Sequence, residues 1–192
     1  MSLQPQSSAN VAPPQLPAHR IQVLLSEERI KTRIRELGRQ LTMDYRDLDP
    51  IVICVLKGAF IFVADLIRQL DTPMTTDFLR VSSYGNQVVT SGEVKMELDL
   101  AQSVSNRHVL LVEDIVDTGL TLEYLKANIS ARKPASLKVC SLLHKPRNNV
   151  KISNIEYIGF NIPSEFVVGY GLDYQGYYRN LPYVGQLEFV EV

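Results

Sequence analysis

The sequence is poor in the residues that cross-link a chain or bind transition metals: its 192 residues include only two cysteines and three histidines. Two thiols are too few for a disulfide scaffold or a four-cysteine zinc site. Both Cys54 and Cys140 lie inside apolar runs, which favours plain buried thiols. A chain of this length can bury a core without such cross-links, and it fits one domain or one domain with an appendage.

The sequence also lacks an excess of charge of either sign. Its 20 basic and 21 acidic residues leave a formal net charge of −1 at pH 7. A protein that binds nucleic acid through bulk positive charge is therefore disfavoured, and we expect no nucleic-acid partner. The apolar share of 45% is too high for a disordered chain and typical of a globular one.

Long hydrophobic runs are missing as well. No apolar stretch reaches the roughly 20 residues that span a membrane, so we expect no membrane partner. The N-terminus has neither the basic region nor the continuous apolar core of a secretory signal, which favours a cytoplasmic protein. Residues 1–18 contain four prolines and no charged side chain. This composition predicts a flexible tail before a single domain at 19–192.

Short apolar runs alternate with helical patterns along the rest of the chain, which predicts an α/β fold with a mostly parallel sheet flanked by helices. The runs are rich in Val, Ile and Leu, as strands covered on both faces are. We predict strands at Ile51–Leu56, His108–Val112, Leu137–Leu143 and Tyr157–Phe160. We predict three helices: one begins near Ser26, and the other two cover about Ala59–Leu70 and Leu120–Ala131.

The stretch Thr76–Leu98 departs from this alternation. Its middle is rich in turn-forming residues, and the flanking Phe78–Val81 and Val94–Leu98 have strand patterns. We predict a flexible antiparallel hairpin with a mobile loop at about 82–95. On these residues alone, a surface loop without a function is an equal alternative.

The most informative segment is 109–121, Val-Leu-Leu-Val-Glu-Asp-Ile-Val-Asp-Thr-Gly-Leu-Thr. Four apolar residues form a strand, and the adjacent carboxylates Glu113 and Asp114 lie at its carboxyl end. Ligands of open α/β sheets bind at this end of the strands. The turn that follows contains Thr118, Gly119 and Thr121 and opens a helix, where free backbone N–H groups and hydroxyls suit an anion such as phosphate.

Asp117 is unusual at the start of such a loop, because an anion beside a phosphate costs electrostatic energy. A second duty, such as accepting a proton or holding a sugar or a cation, would account for it. The alternative is that Asp117 only caps the helix. The sequence contains no Walker, Gly-x-Gly-x-x-Gly or His-Glu-x-x-His motif, so nucleotide or zinc sites of those kinds are excluded.

Together, the apolar strand, Glu-Asp, two aliphatic residues and Asp-Thr-Gly before Thr121 resemble the phosphoribosyl-pyrophosphate signature of the type I phosphoribosyltransferases. The remainder, over about residues 20–190, is similar to their 6-oxopurine branch of bacterial size, the hypoxanthine-guanine phosphoribosyltransferases. The resemblance implies the type I phosphoribosyltransferase fold with a small hood or cap. It also implies a homo-oligomer, either a dimer or a tetramer.

The activity implied by the resemblance is purine salvage. Such enzymes transfer the 5-phosphoribosyl group from phosphoribosyl pyrophosphate to N9 of hypoxanthine or guanine, giving IMP or GMP plus pyrophosphate, with Mg²⁺ as the cofactor. A xanthine-preferring enzyme is one alternative, and a nucleotide-sensing, RNA-binding regulator on the same fold is another. A phosphoribosyl-pyrophosphate synthase is disfavoured because the chain is short for a two-domain build.

The resemblance also implies which residues bind the phosphates. The loop Lys57-Gly58 and Arg179 would bind the pyrophosphate, and in relatives the peptide before this lysine is often cis. Ser83 and Tyr84 match the mobile loop that closes over the reacting centre and excludes water. The 5′-phosphate would be held by Asp117, Thr118, Gly119, Leu120 and Thr121.

For the ribose and the metal, the resemblance implies that Glu113 and Asp114 engage the hydroxyls and Mg²⁺, and that Asp173 holds a second Mg²⁺. Asp117 would be catalytic, assisting proton removal near purine N7 as the bond to N9 forms.

For the base, the resemblance implies that Lys145 donates to the exocyclic 6-oxygen, which argues against adenine because adenine carries an amino group there. Phe166 would stack on the purine and the Val167 backbone would meet its edge.

Overall fold

The computed structural model describes residues 16–83, 94–146 and 154–190. Its helices are α1 (Glu27–Asp44), α2 (Phe60–Ile67) and α3 (Leu120–Ser130). Its strands are β1 (His19–Leu25), β2 (Ile51–Leu56), β3 (Thr75–Ser83), β4 (Val94–Leu98), β5 (His108–Val116), β6 (Ser136–His144), β7 (Tyr157–Asn161), β8 (Val167–Val168) and β9 (Val184–Phe189). Each predicted strand and helix is found, with ends that shift by a few residues.

The central sheet has six strands in the order β4-β3-β2-β5-β6-β7. All neighbours pair in parallel except β3 and β4, which are antiparallel. The predicted mostly parallel sheet is therefore confirmed, and so is the antiparallel pairing of the hairpin strands. The tip of that hairpin, 84–93, lies outside the described residues, as does most of the predicted tail.

Helices cover both faces of this sheet, and the strands alternate between two apolar cores. On β2, Val52 and Cys54 face the core made with α1 and α2, whereas Ile51 and Ile53 face the core made with α3. This alternation is the period of two that a strand imposes on its side chains. The Ser26 hydroxyl accepts a hydrogen bond from the backbone N–H of the first turn of α1, so the predicted N-cap is confirmed.

The two cysteines are buried and free, as predicted. Both belong to the core under α1 and α2, and burial raises the pKa of each thiol to about 12. Protonated thiols in an apolar core behave as small hydrophobic side chains. Within the described ranges, none of the helices combines the length and apolar character that a membrane crossing requires.

Strand β5 is longer than predicted and runs through Glu113 and Asp114 to Val116. The reason is its partner: the pairing of β5 with β6 continues to Ile115 opposite Leu143 and Val116 opposite His144. The two carboxylates therefore lie within a strand, and their side chains leave it on opposite faces of the sheet.

A second, three-stranded antiparallel sheet in the order β1-β9-β8 forms the small cap. Neither β1 nor β9 was predicted as a strand from the sequence. The pattern of β1 is broken, because the register of its pairing with β9 shifts between Val23 and Leu25 and only Leu25 is fully buried. Short, half-exposed strands of this kind carry little periodic signal.

Candidate active site

The carboxyl ends of β2 and β5, with the start of α3 and the 166–173 segment of the cap, enclose a cavity of about 500 Å³. A cavity at this edge of a parallel sheet is where ligands of such folds bind. The predicted residues that line it are Lys57, Gly58, Glu113, Asp114, Asp117, Thr118, Gly119, Thr121, Lys145, Phe166, Val167, Asp173 and Arg179.

Three predicted residues are not among those that line the cavity. Leu120 begins α3, and its side chain is 52% exposed. Ser83 ends β3, and its side chain is not described; Tyr84 lies outside the described residues. The predicted roles of Ser83 and Tyr84 therefore stay predictions.

The acidic pair on β5 is buried deeply enough to perturb its ionisation. Glu113 is only 5% exposed. Burial is the main cause that raises the pKa of both Glu113 and Asp114, and for Glu113 the Asp114 charge adds to it. Arg179 acts in the opposite direction and lowers the pKa of Asp114. Such a pair gains stability when a cation enters the cavity, since the cation compensates the charge that burial disfavours.

The residues fit Mg²⁺ through the chemistry of their donors. Carboxylate oxygens of Glu113, Asp114 and Asp173 line the cavity, and Mg²⁺ commonly uses one or two carboxylates together with waters and substrate phosphates. Across the described ranges, no three His, Cys, Asp or Glu side chains converge to form a complete metal cage. The arrangement therefore suits ions that arrive with a phosphorylated substrate.

The turn before α3 is shaped by a glycine. Gly119 has φ = 80°, a left-handed conformation that glycine adopts without steric cost, and it is the N-cap of α3 with no side-chain cap. The alternative that Asp117 is the N-cap is therefore wrong. Gly119 and Thr121 of this turn line the cavity, so the N–H groups at the start of α3 are candidate donors for an anion bound there.

Asp117 is instead paired with a buried lysine. The Lys145 Nζ lies 3.4 Å from Asp117 Oδ2, and Lys145 is only 8% exposed. The backbone N–H of Lys145 donates to the Val116 carbonyl at 2.9 Å, which fixes the end of β6 beside the end of β5. A carboxylate and an ammonium group thus face one cavity from two adjacent strands.

The Lys57–Gly58 loop connects β2 to α2 in very little space. The Leu56–Lys57 peptide bond is cis, as the resemblance implies. An added Cβ at Gly58 would overlap the Asp114 carboxylate, so only glycine lets the backbone pass this close. Asp114 therefore faces the same loop that carries Lys57.

The cap supplies an arginine, an acid and an aromatic ring. Arg179 Nη2 lies 2.5 Å from Asp173 Oδ1, and Arg179 Nη1 donates to the Gly171 carbonyl at 2.6 Å. Phe166 is 49% exposed, and Tyr174 packs against it edge to face at a centroid distance of 5.8 Å. The Arg179–Asp173 pair was not predicted, because the resemblance assigns the two side chains to different groups.

The apolar part of the cavity wall was not predicted from the sequence. The additional lining residues are Val55, Leu56, Val81, Ile115, Val116, Leu122 and Leu172. Val55, Leu56 and Val81 stand at the ends of predicted strands, so the rule that ligands meet the carboxyl ends of parallel strands could have identified these three. Ile115 and Val116 belong to the part of β5 that extends beyond the prediction. Leu172 carries no such signal, since its position depends on the turns of the cap.

Comparison with known proteins agrees with this geometry. The family model described as a phosphoribosyl transferase domain matches residues 22–175. The hypoxanthine-guanine phosphoribosyltransferase of Bacillus subtilis is 51% identical over 166 residues, which are 86% of this chain and 92% of that protein. The protein of the same name from Mycobacterium tuberculosis is 47% identical, and the match covers 95% of this chain and 96% of the relative.

Solved structures of phosphoribosyltransferases are similar to this chain in fold and sequence. The crystal structure of a hypoxanthine phosphoribosyltransferase from Staphylococcus aureus superposes with a TM-score of 0.83 at 45% sequence identity. The superposition covers 87% of this chain and 91% of that one. Both the match to the family model and the coverage of full-length relatives lead to one conclusion: the chain belongs to the phosphoribosyltransferase family.

Proposed function

We propose that the chain is a purine salvage enzyme that transfers the 5-phosphoribosyl group from phosphoribosyl pyrophosphate to N9 of hypoxanthine or guanine. The products are IMP or GMP and pyrophosphate. The observation that carries the proposal is the Lys145–Asp117 pair, with its 3.4 Å separation, beside the glycine turn of α3 in one cavity. This combination offers a donor for a 6-oxopurine, a base for its proton and a cradle for a phosphate.

The base-recognition step follows from the charge of Lys145. An ammonium group donates hydrogen bonds and cannot accept them, so it favours a carbonyl at purine position 6 and opposes an amino group. A site that depends on such a bond rejects the wrong partner strongly. Phe166 offers an exposed ring for stacking, and Val167, which also lines the cavity, would meet the purine edge with its backbone.

In the chemical step, the base must lose a proton as N9 bonds to the ribosyl carbon. Asp117 is the carboxylate next to the lysine that would hold the base, and we assign it the role of proton acceptor near N7. The reacting carbon gains positive charge, which the carboxylates of Glu113 and Asp114 would stabilise from beneath the ribose.

The leaving pyrophosphate takes negative charge with it. Lys57 and Arg179 line that end of the cavity and would bind its oxygens, Arg179 with its planar fork. When bound, Mg²⁺ supplies compensation for this charge, and Glu113, Asp114 and Asp173 are the residues that would hold it. The Ser83–Tyr84 loop is expected to close and exclude water, which would otherwise hydrolyse the activated sugar.

A spectrophotometric assay tests the proposal directly. The purified chain is given phosphoribosyl pyrophosphate with hypoxanthine, guanine, xanthine or adenine, each with and without Mg²⁺. We expect turnover of hypoxanthine and guanine only, and only with Mg²⁺. Preferred use of xanthine would support the first alternative, whereas no turnover with tight binding of RNA would support the regulator.

Two further parts of the proposal concern the setting of the enzyme. We propose a homo-oligomer, a dimer or a tetramer, which sedimentation of the purified chain tests. The cytoplasmic location stays a prediction of the sequence, and two buried, free thiols agree with a reducing compartment.

A further inference from the structure

On its pyrophosphate side, the cavity is enclosed by two segments that lie far apart in the sequence. One is the Lys57–Gly58 loop at the start of α2, and the other is the turn at 169–173 in the cap. Their backbones are in contact, because a Cβ added at Gly171 would overlap the carbonyl oxygen of Gly58. Any shift of α2 against this turn would therefore move the phosphate-binding groups relative to each other.

A tyrosine joins the two segments. Tyr170 is 5% exposed, and its hydroxyl donates a hydrogen bond to the Asp65 carboxylate of α2, 105 residues away in the sequence. Tyr170 has φ = 51° and stands between Gly169 and Gly171, which also have positive φ. The left-handed run directs the tyrosine ring away from the cavity wall and toward α2.

The same turn also fixes the cap residues that point into the cavity. The backbone N–H of Gly171 donates to the Arg179 carbonyl at 3.0 Å, and Arg179 Nη1 returns a bond to the Gly171 carbonyl. Arg179 in turn pairs with Asp173. Tyr170 is absent from the described residues that line the cavity. Its influence on a bound phosphate must therefore pass through the groups on either side of it.

We infer that Tyr170 is a positioning residue, whose hydrogen bond to Asp65 holds the Lys57–Gly58 loop and the Asp173–Arg179 pair in the spacing that pyrophosphate requires. This inference rests on the proposed function. It deepens that function by assigning the alignment of the pyrophosphate subsite to a contact outside the cavity. The purine subsite, built from Lys145 and Phe166, has no part in this contact.

The test is Tyr170→Phe, which removes the hydroxyl and keeps the ring. We expect the KM for phosphoribosyl pyrophosphate to rise roughly fivefold to tenfold, since small misplacements of binding groups weaken a site strongly. The KM for pyrophosphate in the reverse reaction should rise by a similar factor. The KM for hypoxanthine should stay within about twofold, because the base-binding groups do not depend on α2.

The chain offers a matched control in Tyr157. This tyrosine is equally buried, and its hydroxyl donates to Asp44 Oδ2 of α1 at 2.7 Å, away from the cavity. Tyr157→Phe therefore removes the same kind of bond from the same fold, together with the bond that Lys138 Nζ donates to this hydroxyl at 3.2 Å. We expect both variants to lose thermal stability. Only Tyr170→Phe should raise the KM for phosphoribosyl pyrophosphate while the KM for hypoxanthine stays nearly the same.

Substitutions on the helix side keep the inference testable if Tyr170→Phe does not fold. Asp65→Asn retains an acceptor oxygen and should raise the KM for phosphoribosyl pyrophosphate less than Asp65→Leu does. Arg68→Ala removes only the ion pair that Arg68 makes with Asp65, and it should leave that KM unchanged.

Equal KM values for Tyr170→Phe and Tyr157→Phe would overturn the inference, as would equal effects of the two Asp65 variants. These results would leave the proposed function intact, because the parent enzyme would still turn over hypoxanthine and guanine. A parent chain without transferase activity would instead refute the proposed function. Calorimetric binding of magnesium pyrophosphate by the same variants would then decide whether the contact positions a phosphate site.

Discussion

The two sheets of the molecule contribute to the active site in different ways. The parallel sheet is buried on both faces and presents Asp117, Lys145 and the β5 carboxylates from the ends of adjacent strands. The cap presents Arg179, Asp173 and Phe166 from turns that depend on left-handed residues and on contacts with α2. Groups on the ends of paired strands are fixed by the sheet, whereas groups on the cap are fixed only by a few specific contacts.

This difference predicts where the enzyme is sensitive. Changes at the sheet end should alter the chemistry and the choice of base while the fold persists. Changes at the 169–173 turn of the cap should alter the binding of pyrophosphate and the stability together, because the same contacts serve both. The following variants test each side of this contrast.

Asp117→Asn should have the largest effect. The amide cannot accept the proton of the base, so we expect kcat to fall by roughly 10²-fold to 10⁴-fold. The binding of IMP, measured by calorimetry, should change little, since the fold and the phosphate cradle persist. Asp99→Asn removes a carboxylate that pairs with Arg132 away from the cavity, and it serves as the control with normal turnover. Undiminished turnover in Asp117→Asn would remove Asp117 from the mechanism.

Lys145→Gln should change the choice of base. A neutral amide can both donate and accept, so it no longer opposes an amino group at purine position 6. We expect the ratio of kcat/KM for hypoxanthine to that for adenine to fall by about 100-fold. Competition assays with both bases measure this ratio. An unchanged ratio would mean that shape, and not the lysine, excludes adenine.

On the cap side, Gly171→Ala should weaken the binding of phosphoribosyl pyrophosphate by roughly tenfold, because the new methyl group would push the Gly58 carbonyl out of place. The control is Gly176→Ala, which has the same kind of positive φ, 87°, but open space around the added methyl group. Backbone strain should cost both variants about 1–2 kcal/mol of stability. Gly171→Ala should lose more than this, because its methyl group also overlaps the Gly58 backbone. Only the first should raise the KM; equal KM values would place the cap contact outside the binding site.

The smallest effect concerns pH. Because burial raises the pKa of Glu113 and Asp114, the native state holds more protons than the unfolded chain above pH of about 4. The contribution of this pair to the stability of the metal-free protein should therefore be most favourable at low pH and decrease as the pH rises through the raised pKa values. We expect a decrease in Tm of about 2–4 °C between pH 5 and 7.

Glu113→Gln should flatten this slope, and magnesium pyrophosphate should reverse it by stabilising the ionised pair. Asp99→Asn is again the control, since Arg132 lowers the pKa of Asp99 and its titration lies below this range. Scanning calorimetry across the pH series measures all of these variants. A Tm that rises between pH 5 and 7 would contradict the burial argument.

The same contrast explains what the sequence alone could predict. The strands of the parallel sheet are continuous apolar runs such as Ile51–Leu56, and local composition suffices to find them. The signature around Asp117 belongs to one such strand and the turn that follows it. Its residues are neighbours in the chain, so their meeting in space required no knowledge of distant contacts.

The cap is hard to predict from the sequence because the residues that contact each other there are far apart in the chain. Strand β1 pairs with β9 near the other end of the chain, and the Tyr170 hydroxyl donates a hydrogen bond to Asp65, 105 residues earlier in the sequence. Nothing local distinguishes Tyr170 from the other tyrosines of its segment. The extension of β5 was missed for a similar reason, since the pairing of Val116 with His144 decides it.

The alternation along β5 has a consequence for how this site can vary. Asp114 faces the Lys57–Gly58 loop, and Glu113 leaves the strand on the other side. Which face of the sheet each carboxylate occupies depends on the register of β5 against β6. Deletion of one residue between Val109 and Val112 would exchange the two sides, whereas substitutions that keep the length preserve them. Tolerated length changes in this enzyme should therefore avoid β5 and be confined to its loops.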